Sequence, residues 1–164
     1  MPDHYLRATE KLADILAETD PPRGQEYRDR ALRHAAEVRK GVAELLRDWE
    51  ARKLRGTPIL CARFQAALAG FLGLEVVGVF DGPESLSAAE VSRLAAAARE
   101  RRALLVIGNL QGGQAPAAEI LGRAAGLPHV VLANFPGARE GEDDYLSLLR
   151  SSAKAVADAL PEAK

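Results

Sequence analysis

A cysteine and its neighbours are the first residues of this sequence that could do chemistry. Cys61 is the only cysteine in the chain; it ends a short apolar run, and Arg63 follows two residues later. A nearby guanidinium and a following helix N-terminus favour the thiolate, the form that attacks electrophiles or binds a metal ion. A small, buried, inert cysteine fits the same pattern, so both interpretations stay open.

Amide side chains follow two other apolar runs. Asn109 and Gln111 come after the third run, and Asn134 comes after the fourth. If the runs are parallel strands in the order 2-1-3-4, Cys61 lies near Asn109 and Gln111 at the edge where ligands bind. The glycine pair Gly112–Gly113 indicates a tight loop there, because the lysine of a phosphate-binding loop is absent.

The remaining residues give little support to an enzyme. Ala67 stands where a phosphatase-type loop would need arginine, six places after Cys61. His34 is expected to be solvated on a helix, His129 to be structural at the start of a strand, and His4 to be mobile unless docked. No Ser–His–Asp set, carboxylate pair or His-x-x-x-His helix is present. We therefore expect no catalysis.

Four short apolar runs predict the elements that position these residues. They are rich in β-branched residues and leucine and do not alternate with polar residues, which is typical of strands covered on both faces. Helical segments separate them, so right-handed crossovers and a parallel sheet follow. The prediction is an α/β fold with a four-stranded parallel sheet flanked by helices, its strands at Thr57–Cys61, Glu75–Phe80, Ala103–Ile107 and His129–Leu132.

A long helical segment precedes the sheet. Leu6, Leu12, Ile15 and Leu16 recur at helical spacing until the prolines after Asp20 end the run. A longer amphipathic helix follows, with its apolar stripe at Tyr27, Ala31, Ala35, Val38, Val42, Leu45 and Trp49. We expect a helical segment at residues 1–55 and an α/β lobe at residues 56–164, together forming one domain.

Composition limits the partners. The chain has 164 residues and a formal net charge of −1, which gives no argument for nucleic acid as a partner. A single cysteine excludes an internal disulfide. No signal peptide is visible, and no apolar stretch is long enough to span a bilayer.

Several short motifs follow one another along the chain: Pro2–Leu6 at the head of a helix, the break at Asp20–Pro21, and the segments Gly73–Val77, Ser87–Glu90, Pro128–Leu132 and Gly141–Leu146. Each motif is loose, but their order resembles that in the zinc and manganese solute-binding proteins of ABC importers, from the connecting helix through the C-terminal lobe.

The resemblance implies a divergent metal site. His4 matches the histidine at the head of the connecting helix, and Cys61, or Ala62 with a one-residue slip, falls where the family has a histidine after the first strand of this lobe. Ala133 matches the acidic ligand, with Asn134 beside it. His4 and Cys61 are thus the predicted ligands, favouring zinc or another divalent transition metal over manganese. The surrounding pocket is expected to comprise Arg63, Asn109, Gln111 and Asn134.

The function implied is metal capture rather than catalysis. We expect a zinc-binding lobe that works with a missing N-terminal lobe and delivers its ion to a membrane permease, periplasmic if it belongs to a longer exported parent. A lone lobe would expose the face that meets its partner, so a homo-oligomer is plausible. The alternatives are a small enzyme with Cys61 as nucleophile and a metal-free flavodoxin-like binding module.

Overall fold

The computed structural model describes residues 1–160, so the last four residues of the predicted lobe lie outside the described part. Helices and strands follow one another as the sequence predicts. The helices are α1 (Pro2–Thr19), α2 (Gly24–Ala51), α3 (Ala66–Phe71), α4 (Ala88–Glu100), α5 (Ala115–Ala125) and α6 (Tyr145–Ala159), and the strands are β1 (Pro58–Ala62), β2 (Glu75–Phe80), β3 (Leu105–Asn109) and β4 (His129–Leu132).

The four strands form one parallel sheet in the order β2-β1-β3-β4. The predicted fold class and strand order are thus confirmed. The switch point lies between β1 and β3, where Cys61 is level with Ile107. Asn109, opposite Leu132 of β4, is the last residue of β3 and not part of the following loop.

Strand β3 begins two residues later than the apolar run predicts. Arg102 has a φ of 53°, and the Ala103 N–H donates to the Ala98 carbonyl at 2.7 Å, which closes the end of α4. Ala103 therefore belongs to the helix terminus rather than to the strand. The shift moves Asn109 into the sheet, where no part of it is exposed.

One face of the sheet packs against α4 and α5 through a continuous apolar core. Residues of β1 and β3 on that face include Leu60, Ala62 and Val106, which contact Leu94 and Leu121 in one buried cluster. Because side chains alternate along a strand, the residues between them point to the opposite face. Cys61 therefore lies on the face away from α4 and α5.

The helical segment differs from its predicted packing in one place. Leu6, Ala13 and Ala17 form the buried face of α1, whereas Leu12 and Ile15 are 56% and 49% exposed. The predicted apolar stripe of α1 is therefore wrong after Leu6, because small alanines occupy the buried positions of this helix and the larger aliphatic side chains lie outside. The stripe of α2 is confirmed by the burial of Ala31, Ala35, Val38, Leu45 and Trp49.

The chain divides into two compact units, Met1–Arg47 and Asp48–Lys164. The first contains α1 and most of α2; the second contains the last turn of α2 and the whole sheet. Among the described residues, no helix combines the length and apolarity needed to cross a bilayer.

Candidate functional site

The carboxyl edge of the sheet gathers most of the residues that the sequence singled out. Cys61 and Arg63 lie at the end of β1, Asn109 and Gln111 at the end of β3, and Asn134 just beyond β4. Parallel strands present these ends on one side of the sheet. All five belong to the second compact unit.

A hydrogen-bonded amide network joins the loops after β1, β3 and β4. Gln65, which is buried, donates from Nε2 to Oδ1 of Asn134 at 3.0 Å. The Asn134 backbone N–H donates to Oε1 of Gln111 at 2.8 Å. The structure therefore brings Gln111 and Asn134 together, with Gln65 as an additional member.

Asn109 and Gln114 form a second set of polar side chains, next to Gly112. The Oδ1 of Asn109 accepts from the backbone N–H of Gly112, while its Nδ2 is buried without a hydrogen-bond partner. Gln114, at the start of α5, is also buried, and its Oε1 likewise has no partner. Both side chains approach Gly112, since a Cβ atom there would lie 2.8 Å from Asn109 Oδ1 and 2.4 Å from Gln114 Oε1.

Arg63 is held by an acidic residue rather than by the amides. Its Nε and one terminal nitrogen donate to the two carboxylate oxygens of Asp81 at 2.8 and 2.7 Å. This bidentate pair lowers the pKa of Asp81 and raises that of Arg63. Since Arg63 follows β1 and Asp81 follows β2, the pair places one cation and one anion at the same edge.

Cys61 lies deeper than its position at a strand end suggests. Its side chain is fully buried, and burial raises the pKa of its thiol from 9.0 to about 11. Removal from water destabilises a charged thiolate, and this outweighs the helix N-terminus and Arg63 that the sequence interpretation invoked. Cys61 is therefore a neutral thiol at neutral pH, which argues against a nucleophile.

The three histidines occupy different environments. His4 is exposed in the first turn of α1, in the first compact unit. His34 is half-buried rather than solvated as predicted, because its Nε2 lies 2.9 Å from the hydroxyl of Tyr5 with the two rings edge to face. His129 is exposed at the start of β4, at the opposite end of the strand from the amide network.

The described residues contain no group of three or more His, Cys, Asp or Glu side chains placed to hold a metal ion. Transition-metal sites are normally built from such side chains. The part of this chain that the structure describes therefore supplies no complete site by itself. What the edge does offer is a set of amide donors and acceptors with one arginine–aspartate pair.

Sequence reasoning missed Gln65 and Gln114. Both are glutamines in helical surroundings, which usually indicates a solvated position. Only their positions in the sequence could have identified them as site residues. Gln65 follows β1 by three residues, and Gln114 immediately precedes α5. Either position lies at the ligand-binding edge of a parallel sheet.

The chain matches the model of a known family of proteins. The family model described as zinc-uptake complex component A periplasmic (ZnuA) matches residues 1–159. The chain belongs to the ZnuA family. The match extends over both the helical segment and the sheet, as the resemblance in the sequence implied.

Solved structures share the same fold. A cadmium-bound periplasmic metal binding protein from Candidatus Liberibacter asiaticus has a TM-score of 0.76 at 16% identity, with 96% of this chain and 60% of that chain covered. A manganese-bound form of that protein also gives 0.76 at 16% identity, with the same coverage. A crystal structure of ZnuA gives 0.75 at 22% identity and covers 96% and 59%. The chain thus spans about 60% of the length of these proteins. No curated protein matches it.

Proposed function

We propose that this chain is a metal-binding lobe of an extracytoplasmic solute-binding protein that delivers a divalent transition metal, foremost zinc, to the permease of an ABC importer. Membership of the ZnuA family across residues 1–159 is the observation that carries the proposal. The similar structures include cadmium-bound and manganese-bound periplasmic metal binding proteins. The proposed cargo is thus one ion among chemically related divalent metals.

His4 and Cys61 are the proposed protein ligands within this chain. The imidazole of His4 is exposed, so a zinc ion can reach it. The buried thiol of Cys61 would release its proton on binding, since a coordinating thiol is deprotonated by the ion. Two ligands are too few for a closed zinc site, so the proposal includes further ligands from a second, N-terminal lobe.

Calorimetry with zinc on the whole protein, as its gene encodes it, tests the proposal. We expect saturable zinc uptake that weakens by at least about tenfold in His4→Ala and in Cys61→Ala, because loss of one ligand removes one metal bond. His129→Ala is the matched control, since it removes an exposed histidine at the opposite end of β4. A protein that takes up no zinc, manganese or cadmium in any form would refute the proposed function.

A further inference from the structure

The hydrogen bond from Gln65 to Asn134 spans the end of a strand to which neither residue belongs. Gln65 is the last residue of the turn Arg63–Gln65 that follows β1, and Asn134 follows β4. In the strand order β2-β1-β3-β4, β3 lies between them. The 3.0 Å bond between Nε2 and Oδ1 therefore bridges the carboxyl end of β3, next to the switch point where parallel sheets usually leave a crevice open.

Cys61 lies in the strand that leads to this bridge and has no exposed surface. It is paired on both sides, level with Val79 of β2 and Ile107 of β3. The chain first reaches solvent two residues later, at the exposed Arg63 and Phe64. The turn after β1 is therefore the segment whose movement would expose the Cys61 sulfur with the least change to the sheet.

Two side-chain contacts hold this turn, and they differ in strength. The Arg63–Asp81 ion pair joins side chains that are 63% and 38% exposed, and an ion pair in contact with water contributes little. Gln65 is only 2% exposed, so its bond to Asn134 is shielded from competing water. The buried amide bond is therefore the contact that keeps the turn closed.

The partner of Gln65 belongs to a segment that is free of regular structure. Residues 133–144, between β4 and α6, contain neither helix nor strand, and Phe135 beside Asn134 is 63% exposed. Long irregular loops in compact domains usually serve a function, and they open at a lower free energy than strands do. Movement of this loop away from the turn breaks the bonds of Asn134 to Gln65 and Gln111 and leaves the strand pairing intact.

We infer that the hydrogen bond between Gln65 and Asn134 is a latch across the carboxyl end of β3, and that a solute reaches Cys61 only when this latch opens. Opening breaks bonds between neutral amide groups, so it is local and reversible. The latch itself needs no metal. Its part in metal capture rests on the proposed function, in which Cys61 is a ligand and the ion binds the open form.

Alkylation of Cys61 by iodoacetamide in the whole folded protein tests the latch without any metal. Gln65→Met keeps the length of the buried side chain but removes its N–H donors. We expect the rate, followed by mass spectrometry, to rise about tenfold, the equivalent of one buried hydrogen bond. Gln25→Met, the same substitution at an exposed position of α2, is the matched control and should leave the rate unchanged. Equal rates for wild type and Gln65→Met would overturn the inference.

The urea dependence of the same rate separates local opening from global unfolding. Local opening exposes little surface, so the wild-type rate should stay nearly constant well below the unfolding transition. Leu94→Val weakens the core between the sheet and α4 without touching the latch, and it should leave the rate in water unchanged. A wild-type rate that rises with urea as steeply as the global unfolding constant would overturn the inference, since Cys61 would then react only in the unfolded chain.

Stopped-flow mixing of the whole protein with zinc alone tests the part of the latch in metal capture. We expect zinc to associate about tenfold faster with Gln65→Met than with wild type, because more of the variant is open. Equal association rates, despite faster alkylation of the variant, would overturn this part of the inference and leave the proposed function intact. Absence of zinc binding in both proteins would refute the proposed function, whereas faster alkylation of Gln65→Met would still support the latch.

Discussion

The buried thiol of Cys61 shows how burial outweighs nearby positive charge at a single residue. With a pKa of about 11, it should react with iodoacetamide at pH 8 about a hundredfold more slowly than an ordinary thiol, because only the thiolate reacts. Mass spectrometry of timed samples gives the rate, and the same protein in denaturant is the control. If Cys61 reacted with iodoacetamide as fast in the folded protein as in the denatured protein, the result would support the hypothesis that Cys61 is a nucleophile.

The raised pKa of Cys61 makes the free energy of unfolding depend on pH in the alkaline range. The folded chain binds the Cys61 proton more tightly than the unfolded chain, so the stabilisation is complete below pH 9.0 and declines as the pH rises to about 11. We expect a decline on the order of 2–3 kcal/mol from this group. Urea unfolding of wild type and Cys61→Ala at several pH values isolates it, since the variant lacks the group but keeps every other titrating residue. Parallel pH profiles for the two proteins would contradict the prediction.

Trp49 anchors the last turn of α2 through one hydrogen bond. Its indole Nε1 donates to the Leu72 carbonyl at 2.7 Å in a buried setting. Trp49→Phe keeps an aromatic ring but leaves that carbonyl unpaired, so we expect a loss of about 1–3 kcal/mol in the free energy of unfolding. Chemical denaturation measures it, with Leu32→Ala on the exposed face of α2 as a control. An effect no larger than that of the control would contradict this role.

At the scale of elements, a glycine in β3 sets how closely α5 packs on the sheet. A Cβ atom at Gly108 would lie 2.7 Å from the Cβ of Ala118 and 3.2 Å from the Gln114 carbonyl oxygen. Gly108→Ala should therefore separate the two elements and destabilise the fold by about 1–3 kcal/mol. Gly70→Ala in α3 is the matched control, because nothing lies within 4 Å of a Cβ atom there. Thermal unfolding should show that control unchanged or slightly stabilised, and equal effects of the two substitutions would refute the packing argument.

The sheet was predictable because each of its strands coincides with a short, mostly apolar run in the sequence. Apolar runs such as Pro58–Ala62 identify buried strands, and parallel topology then fixes which residues end at one edge. That logic correctly joined Gln111 and Asn134 at one edge. It could not reveal the buried Gln65 and Gln114, or the depth of Cys61, because burial depends on how loops fold back over the strand ends.

The spacing of apolar residues predicted burial less reliably in the helices than in the strands. The stripe of α2 was predictable because large and small apolar residues share one face. In α1 the large side chains of Leu12 and Ile15 are exposed, while Ala13 and Ala17 are buried. Hydrophobic size favours burial of the leucine and the isoleucine, but the small alanines occupy the buried positions, and Ala17 lies close to Gly24. Sequence alone does not specify how close a helix approaches its neighbour.

For the whole molecule, metal binding should appear as added stability. A ligand that binds only the folded state stabilises it in proportion to the logarithm of its concentration, about 2.7 kcal/mol at a hundredfold excess over the dissociation constant. We expect the melting temperature of the whole protein to rise with zinc concentration and to return on addition of EDTA, while His129→Ala responds like wild type. His4→Ala should shift the response to higher zinc. Magnesium is the matched control ion, since its preference for six oxygens finds no carboxylate cluster among the described residues. A melting temperature that does not change with zinc, or that rises equally with magnesium, would contradict specific zinc binding by this protein.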